Sequence, residues 1–330
     1  MKTRRIIGLS FVATAVIWFQ VAGRFEASRI NEQRQTRATG QPQQAGLRID
    51  SERLMSAVAT LADPKFEGRA AGSPGGIAAR AWVVERFKTI GLQPVSGAYV
   101  HPFTYTRMTM SGRQDGEGAN VLGMCVGTDP KLPFFIVSSH YDHLGVRDGQ
   151  IYPGADDDAS GVAVTLELAA YCIKMPFRHS IVFAAFDAEE RGLQGAKAFM
   201  VKPPVPQQRI GLNVNLDMVS RNDKREIFIA GTYHYPALKA PLEEVAKRAP
   251  ITVLFGHDKP VTVAGGVEDW TNQSDHGPFH AAKIPFVYFG VEDHADYHKP
   301  TDTADKINRG FFVDVAETIL DSLLALDRSR

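Results

Sequence analysis

Short apolar runs alternate with longer amphipathic segments from residue 49 onward. The apolar runs predict strands buried on both faces, at 121–126, 132–139, 181–186, 210–218, 226–231, 251–255 and 284–290. Helical patterns separate them, at 50–62, 159–174, 193–200, 236–247 and 311–326. This alternation predicts an α/β fold, a three-layer αβα sandwich around a mostly parallel mixed sheet.

The segment GSPGGIAARAWVVERFKTIGL has the clearest helix boundaries. Ser73 is the expected N-cap, Pro74 suits the first turn, and Gly91 is a typical C-terminal stop. Apolar residues at helical spacing predict the buried face of this helix: Ile77, Ala81, Val84 and Phe87.

The N-terminal residues have a different pattern. Lys2, Arg4 and Arg5 precede the uncharged run Ile6–Gly23, which is typical of an export signal. The run is long enough to cross a bilayer, and no clear A-x-A cleavage site follows it. Residues 1–25 are therefore expected to be a signal peptide or a membrane anchor.

A polar segment separates this run from the folded body. Residues 26–47 are rich in Gln, Arg and Thr, so we expect a flexible linker. Residues 48–330 are then expected to form one folded domain, whose catalytic character is argued from its motifs below, exported to the periplasm or the extracellular side.

The charge balance bears on the kind of partner. Lys and Arg total 37, as do Asp and Glu, so the net charge is zero. Without a basic stripe, nucleic acid is not an expected partner, whereas small molecules or peptides are. The two cysteines, Cys125 and Cys172, fit either one disulfide or two buried free thiols. The sequence carries no signal of oligomeric state.

Histidine and carboxylate side chains follow several predicted strands. Ligands of open α/β sheets bind beyond the carboxyl ends of the strands, so these groups are expected to share one crevice. Four short segments carry them: His140 with Asp142, Asp187 with Glu189 and Glu190, Asp217 alone, and Tyr297 with His298.

The segment GADDDASGVAV places Asp156, Asp157 and Asp158 side by side at the start of a helix. Adjacent carboxylates repel each other unless a cation lies among them. Nitrogen and carboxylate oxygen donors without cysteine are typical of a catalytic zinc site. The expected donors are His140, Asp157, Glu190, Asp217 and His298.

Five donors exceed the number in one open tetrahedral site. They suit two ions roughly 3.5–4 Å apart that share a bridging carboxylate. Asp157, the middle aspartate, is the natural bridge. Cobalt or manganese would also accept this donor set. His143, His276, His280 and His294 are not expected to be ligands.

Five motifs in this order carry a family resemblance: HYD, GADDDASG, DAEERGLQGA, NLDM and YHKPTDT. Together they resemble the bacterial leucyl-type zinc aminopeptidases of clan MH. Glutamate carboxypeptidase, glutaminyl cyclase and the transferrin receptor ectodomain are more distant relatives. The upstream segment FEGRAAGSPGGIAARAWVVERFKTIGLQP resembles the start of that family's catalytic domain. The resemblance therefore covers roughly residues 49–326.

The resemblance implies a role for each group. His140 and Asp217 would hold one zinc ion, Glu190 and His298 the other, and Asp157 would bridge them. Glu189 would be the general base. Asp142 would orient His140 through its second ring nitrogen. Tyr297 would stabilise the oxyanion.

The implied activity is hydrolysis of the N-terminal residue of peptides that have a free amino group. A glutaminyl-cyclase-like acyltransferase with one zinc is the first alternative, although DDDASG and YHKPTDT resemble the two-metal peptidases more. A non-catalytic peptidase-like binding domain is the second, and such domains typically lose ligands that are all present here. SDHGPF, residues 274–279, either lines the substrate pocket or starts a capped helix.

Overall fold

The computed structural model describes residues 48–110, 112–263 and 265–330. The expected signal or anchor and the whole of the expected linker lie outside the described residues. The helices of the described part are α1 Ser51–Leu61, α2 Pro74–Ile90, α3 Gly161–Lys174, α4 Gln194–Val201, α5 Lys239–Ala246, α6 His276–Ala281 and α7 Arg309–Ser329. No helix formed by these residues is both long and apolar enough to cross a bilayer.

The strands of the described part are β1 Gln93–Pro94, β2 Val100–Thr109, β3 Gly112–Cys125, β4 Phe134–His140, β5 Gly145–Arg147, β6 Gln150–Tyr152, β7 Ile181–Phe186, β8 Ile210–Leu216, β9 Glu226–Ala230, β10 Thr252–Phe255 and β11 Phe286–Gly290. Nine of them form one mixed sheet in the order β1-β3-β7-β4-β8-β11-β9-β10, with β2 paired to β3. β5 and β6 form a separate hairpin.

Four neighbouring strands at the centre of the sheet, β7, β4, β8 and β11, are parallel. Antiparallel pairs flank them, β3 against β7 on one side and β9 against β11 on the other. The predicted α/β class with a mixed sheet is confirmed. All four central strands end at the same edge of the sheet.

The sheet separates two apolar cores, which makes the three layers. Along β7, Ile181, Phe183 and Ala185 contribute to the core that also contains residues of α1, α2, α3, α5 and α7. The alternate residues Val182 and Ala184 belong to the second core, beside residues of α4 and α6. This alternation follows from the two-residue period of a strand covered on both faces.

Helix α2 has the predicted boundaries but a different buried face. Ser73 caps the first turn by accepting from the N–H of Gly76, and Gly91 ends the helix with φ of 96°. Of the four expected core positions only Phe87 is buried, whereas Ile77 is 49% exposed. The face that is buried comprises Gly75, Gly76, Ala79, Val83 and Phe87.

The two glycines explain this rotation of α2. A Cβ on Gly75 would lie 1.9 Å from the carbonyl oxygen of Phe66, and one on Gly76 would lie 2.3 Å from that of Ala70. The backbone of α2 therefore packs directly against the segment that precedes it. Apolar periodicity misses a face that is built from small residues.

The structure adds a long hairpin and a disulfide to the elements predicted from the sequence. Only 121–126 was expected as a strand before β4, whereas β2 and β3 form a long hairpin that continues beyond the rest of the sheet. The side chains of β2 alternate between exposed and half-buried, so this strand has no continuous apolar run. Cys125 and Cys172, for which the sequence fits either a disulfide or two free thiols, form a disulfide that joins β3 to α3.

Candidate metal centre

The strand ends bring the expected donors to one edge of the sheet. His140 is the last residue of β4, and Asp217 directly follows β8. Glu189 and Glu190 follow β7, and His298 lies in the loop after β11. Asp157 lies in the helical turn Ala155–Ser160, which leads into α3.

Asp157 lies between two groups of donors. Its Oδ1 is 3.3 Å from His140 Nε2, which is also 3.5 Å from Asp217 Oδ1. Its Oδ2 is 3.1 Å from His298 Nε2, which is also 3.4 Å from Glu190 Oε1. The two oxygens of one carboxylate therefore face two different sets of ligand atoms.

The flanking aspartates are engaged elsewhere. Asp156 Oδ1 accepts hydrogen bonds from the N–H and hydroxyl of Ser220. Asp158 lies close enough to His140 and Asp217 to share an ion with them. Its two oxygens, however, already accept from the backbone N–H groups of His140, Gly161 and Met218. Asp158 therefore holds these loops together, whereas both oxygens of Asp157 face the histidines of the donor cluster.

Unpaired buried atoms test whether the site fits a cation. Among the described residues, Glu190 Oε1 and both ring nitrogens of His143 are buried and form no hydrogen bond of acceptable geometry. His143 Nδ1 is 2.8 Å from Glu190 Oε1 and 3.6 Å from Asp157 Oδ2. Unpaired buried polar atoms are costly, and a shared dication would satisfy these. The donor set and its unpaired atoms fit zinc.

His143 lies in the same donor cluster, although the sequence does not predict it as a ligand. It groups with Asp157 and Glu190 at distances compatible with one ion, and its side chain is fully buried. His298 approaches the same two carboxylates but is 38% exposed. The signal that could have found His143 is its position in HYDHLG, three residues after His140.

The contact that orients His140 differs from the expected one. Its Nδ1 lies 3.1 Å from the backbone carbonyl oxygen of Asp142, while the carboxylate oxygen of Asp142 is 3.7 Å away. The carboxylate instead accepts from the N–H groups of Glu189 and Glu190. Asp142 thus connects the loop after β4 to the loop after β7.

The pKa shifts reflect a site rich in buried carboxylates. Burial alone would raise the pKa of Asp157, but His143, His140 and His298 outweigh burial and lower it well below its usual range. Burial lowers the pKa of His298, yet Asp157 and Glu190 raise it to about 10. Without a metal, imidazolium groups thus supply the positive charge that these carboxylates require.

Glu189 and Tyr297 face the same cavity as the donors. Burial raises the pKa of the Glu189 carboxyl well above its usual range, and His140 opposes this rise. Burial also raises the pKa of the Tyr297 phenol, as do the nearby carboxylates of Asp157 and Asp217. The Tyr297 ring stacks on His298 with 3.9 Å between centroids.

The cavity has a volume of about 510 Å³. Its lining includes Glu268 and Asp293 besides the donors, and contains no Lys or Arg among the described residues. A larger cavity of about 750 Å³ lies between β2 and α4, but it is lined by none of the donors. The smaller cavity is therefore the candidate site, because the clustered donors line it.

The segment SDHGPF, residues 274–279, supports a donor residue without lining the cavity. Ser274 donates to Asp217 Oδ2 at 2.6 Å and accepts from the side-chain amide of Asn215. Asp275 precedes α6 without capping it. Ser274 therefore holds the carboxylate of Asp217 in the donor cluster, which neither of the two expectations for this segment included.

A fold with these strand-end groups is that of zinc exopeptidases, and the comparison with family models agrees. Residues 120–323 match the model of Peptidase family M28. This match covers more than half of the chain, so the chain belongs to that family.

Among curated relatives, Aminopeptidase YwaD of Bacillus subtilis is 28% identical over 205 residues, which are 58% of this chain and 40% of that protein. A probable zinc metalloprotease of Pyricularia oryzae is 33% identical over 44% of this chain and 29% of its own. The matches thus span less than half the length of these relatives.

Solved structures show the same fold. An aminopeptidase from Aneurinibacillus sp. strain AM-1 superposes with a TM-score of 0.67 at 19% identity, covering 84% of this chain and 93% of its own. A glutaminyl cyclase of Bacteroides thetaiotaomicron superposes with a TM-score of 0.65 at 17% identity, over 84% and 98%. Because both activities occur on this fold, the fold itself does not select one of them.

Proposed function

We propose that this chain is a metal-dependent aminopeptidase that removes the N-terminal residue of peptides. The observation that carries the proposal is the placement of Asp157, whose two carboxylate oxygens face His140 on one side and His298 on the other. This placement favours two zinc ions with Asp157 as the bridge, Asp217 beside His140, and Glu190 beside His298. Cobalt or manganese could replace zinc.

When bound, zinc supplies Lewis acidity, which makes a water molecule more acidic and a carbonyl carbon more electrophilic. Glu189 accepts the proton of the attacking water and passes it to the nitrogen of the leaving amine. Burial, the main cause of the raised pKa of Glu189, favours proton uptake by its carboxylate. Tyr297 stays protonated and donates a hydrogen bond to the developing oxyanion.

The charge of the cavity supports cleavage at a free amino terminus. Glu268 and Asp293 line it in addition to the metal-facing carboxylates, and no lysine or arginine among the described lining residues balances them. Two dications would offset four of the six lining carboxylates, and the remaining negative charge would still attract a protonated α-amine and repel a peptide carboxylate. The negative charge of the cavity therefore favours an exopeptidase that requires a free α-amine on its substrate.

We further propose that residues 48–330 act outside the cytoplasm, with residues 1–25 as signal or anchor and 26–47 as linker. The disulfide between Cys125 and Cys172 supports this location, because such bonds persist in oxidising compartments. The membrane-anchor expectation rests on the run Ile6–Gly23 alone.

Metal analysis combined with a substrate panel tests the proposal. We expect two zinc ions per chain and hydrolysis of leucine p-nitroanilide, but not of its N-acetylated form. Cyclisation of N-terminal glutamine with a single ion would instead favour the acyltransferase. A chain that binds metal but transforms neither substrate class would favour the binding domain.

A further inference from the structure

Arg69 lies in FEGRAAGSPGG, a motif that the proposed chemistry does not use. It ends the short helical segment Pro64–Arg69 and is fully buried, with 0% of the residue exposed. A buried guanidinium is uncommon, because the charge loses its hydration. Its partners therefore need an explanation.

The guanidinium of Arg69 donates to backbone carbonyls from three separate segments. Its Nε donates to Tyr141 at 2.9 Å, between His140 and Asp142. Its Nη1 donates to Leu61 at 2.8 Å and also to Pro153, and its Nη2 donates to Gly154 at 2.9 Å. The loop after β4 and the turn that carries Asp157 are thus joined through one side chain.

The backbone of Arg69 adds a further link. Its carbonyl oxygen accepts from the N–H of His143 at 3.2 Å. Gly68 packs so closely beneath the β5–β6 hairpin that a Cβ there would lie 2.4 Å from the carbonyl oxygen of Tyr152. The close packing of Gly68 and the backbone hydrogen bond of Arg69 therefore fix the position of Arg69 between the two loops.

The charge of Arg69 also acts on the site. Burial lowers its pKa, while the carboxylates of Asp157, Asp142, Asp302 and Asp158 oppose that shift. Arginine remains protonated in proteins, so it is a permanent cation behind the metal-facing carboxylates. Within the described part of the chain, its hydrogen-bond acceptors are backbone carbonyl oxygens, so its side chain fixes backbone positions while its charge offsets the carboxylates from a distance.

We propose that Arg69 is a positioning residue that holds the loops of His140 and Asp157 at the separation required for the metal centre, before any metal binds. The inference rests on the proposed function. A planar guanidinium with five donors can join carbonyls lying in several directions. Lysine keeps the charge but cannot make the same set of contacts.

The test compares Arg69→Lys and Arg69→Met with the control Arg53→Lys. Arg53 joins α1 to α3 through Glu167, with hydrogen bonds of 2.8 Å, and does not contact the metal-facing loops. Zinc affinity is measured by chelator competition, and kcat and KM are measured on leucine p-nitroanilide. Amide hydrogen exchange is measured on the metal-free proteins.

We expect Arg69→Lys to weaken zinc binding by about 10–100-fold, as is typical when a residue that supports the ligands is lost. We also expect kcat to fall while KM changes less than about twofold, because positioning matters most in the transition state. Exchange should accelerate at His143, Asp156 and Asp157 but not in α7. Arg53→Lys should leave all four measurements near wild type.

Unchanged zinc affinity and exchange in Arg69→Lys would overturn the proposal. Exchange that accelerates equally in α7 would also overturn it, because it would indicate a general loss of stability. If Arg69→Met does not fold, the Lys variant still decides. If wild type neither binds zinc nor cleaves the anilide, the proposed function fails, whereas the exchange pattern still decides whether Arg69 holds these loops.

Discussion

The two halves of the candidate metal centre are built differently. His140 and Asp217 sit at the ends of β4 and β8, and their side chains are only 1% and 12% exposed. His298 lies on the loop after β11, is 38% exposed, and has the left-handed φ of 53° that non-glycine residues rarely adopt. The sheet therefore preforms one half, while the other combines the buried Glu190 and His143 with His298, whose loop must hold a disfavoured conformation.

This contrast predicts that the two ions bind with different affinities, the buried half first. Asp157 belongs to both halves, and Glu189 faces the cavity between them. Variants at these positions can therefore separate what the halves share from what distinguishes them.

Asp157→Ala should have the largest effect. Removing the shared carboxylate leaves each half one donor short, so both ions and essentially all hydrolysis should be lost. Metal content after gel filtration and anilide hydrolysis measure this, with the exposed Asp223→Ala as control. Retention of two ions would refute the bridging role.

Glu189→Gln should separate proton transfer from metal binding. Both ions should remain, because Glu189 is not a proposed ligand, while kcat should fall by about 100–10,000-fold through loss of the base. The variant keeps the shape of the side chain, so folding should be unaffected. An active Glu189→Gln enzyme would contradict the assigned role.

His298→Ala should affect only the loop half. One ion should remain bound with affinity within about threefold of wild type, because the buried half keeps all its donors. The matched variant His140→Ala should lose the tighter ion instead. Titration calorimetry with zinc distinguishes the two variants. Equal loss of both ions in His298→Ala would show that the two halves do not bind their ions independently.

The pH dependence of zinc binding should be the smallest effect. With a pKa of about 10, metal-free His298 is protonated throughout the neutral range, so zinc must displace its proton. Affinity for the second ion should therefore rise with pH, by about tenfold per unit for each proton released, and fall in acid. Calorimetry in buffers of different ionisation enthalpy counts these protons, and a count of zero would contradict the assignment of His298.

Most of the site could be predicted because it follows strand ends. His140, Glu190 and Asp217 come directly after apolar runs that are readable as strands, and parallel strands deliver such residues to one edge. His143 was not predicted because the same short segment also carries His140 and Asp142. Spacing along the sequence does not tell which imidazole ring faces the donor cluster. Arg69 was missed as a candidate because its partners are backbone carbonyls, which leave no mark on the sequence.

Helix α2 shows what could and could not be predicted about the fold. The caps of α2 were predictable from Ser73 and Gly91 because they depend on local conformation. The buried face was not, since Gly75 and Gly76 are buried by backbone contact with Phe66 and Ala70 rather than by apolar side chains.

The sequence by itself determined the α/β class, the helix caps and the kinds of donor group, because these depend on local periodicity and side-chain chemistry. The sequence also favoured Asp157 among three adjacent aspartates, but only the tertiary structure decided what Asp156 and Asp158 contact instead. Asp156 and Asp158 find partners in Ser220, Gly161 and Met218, residues brought near by folding, whereas Asp157 is turned towards His140 and His298. Identical side chains differ there only in their surroundings, and surroundings are a property of the folded chain.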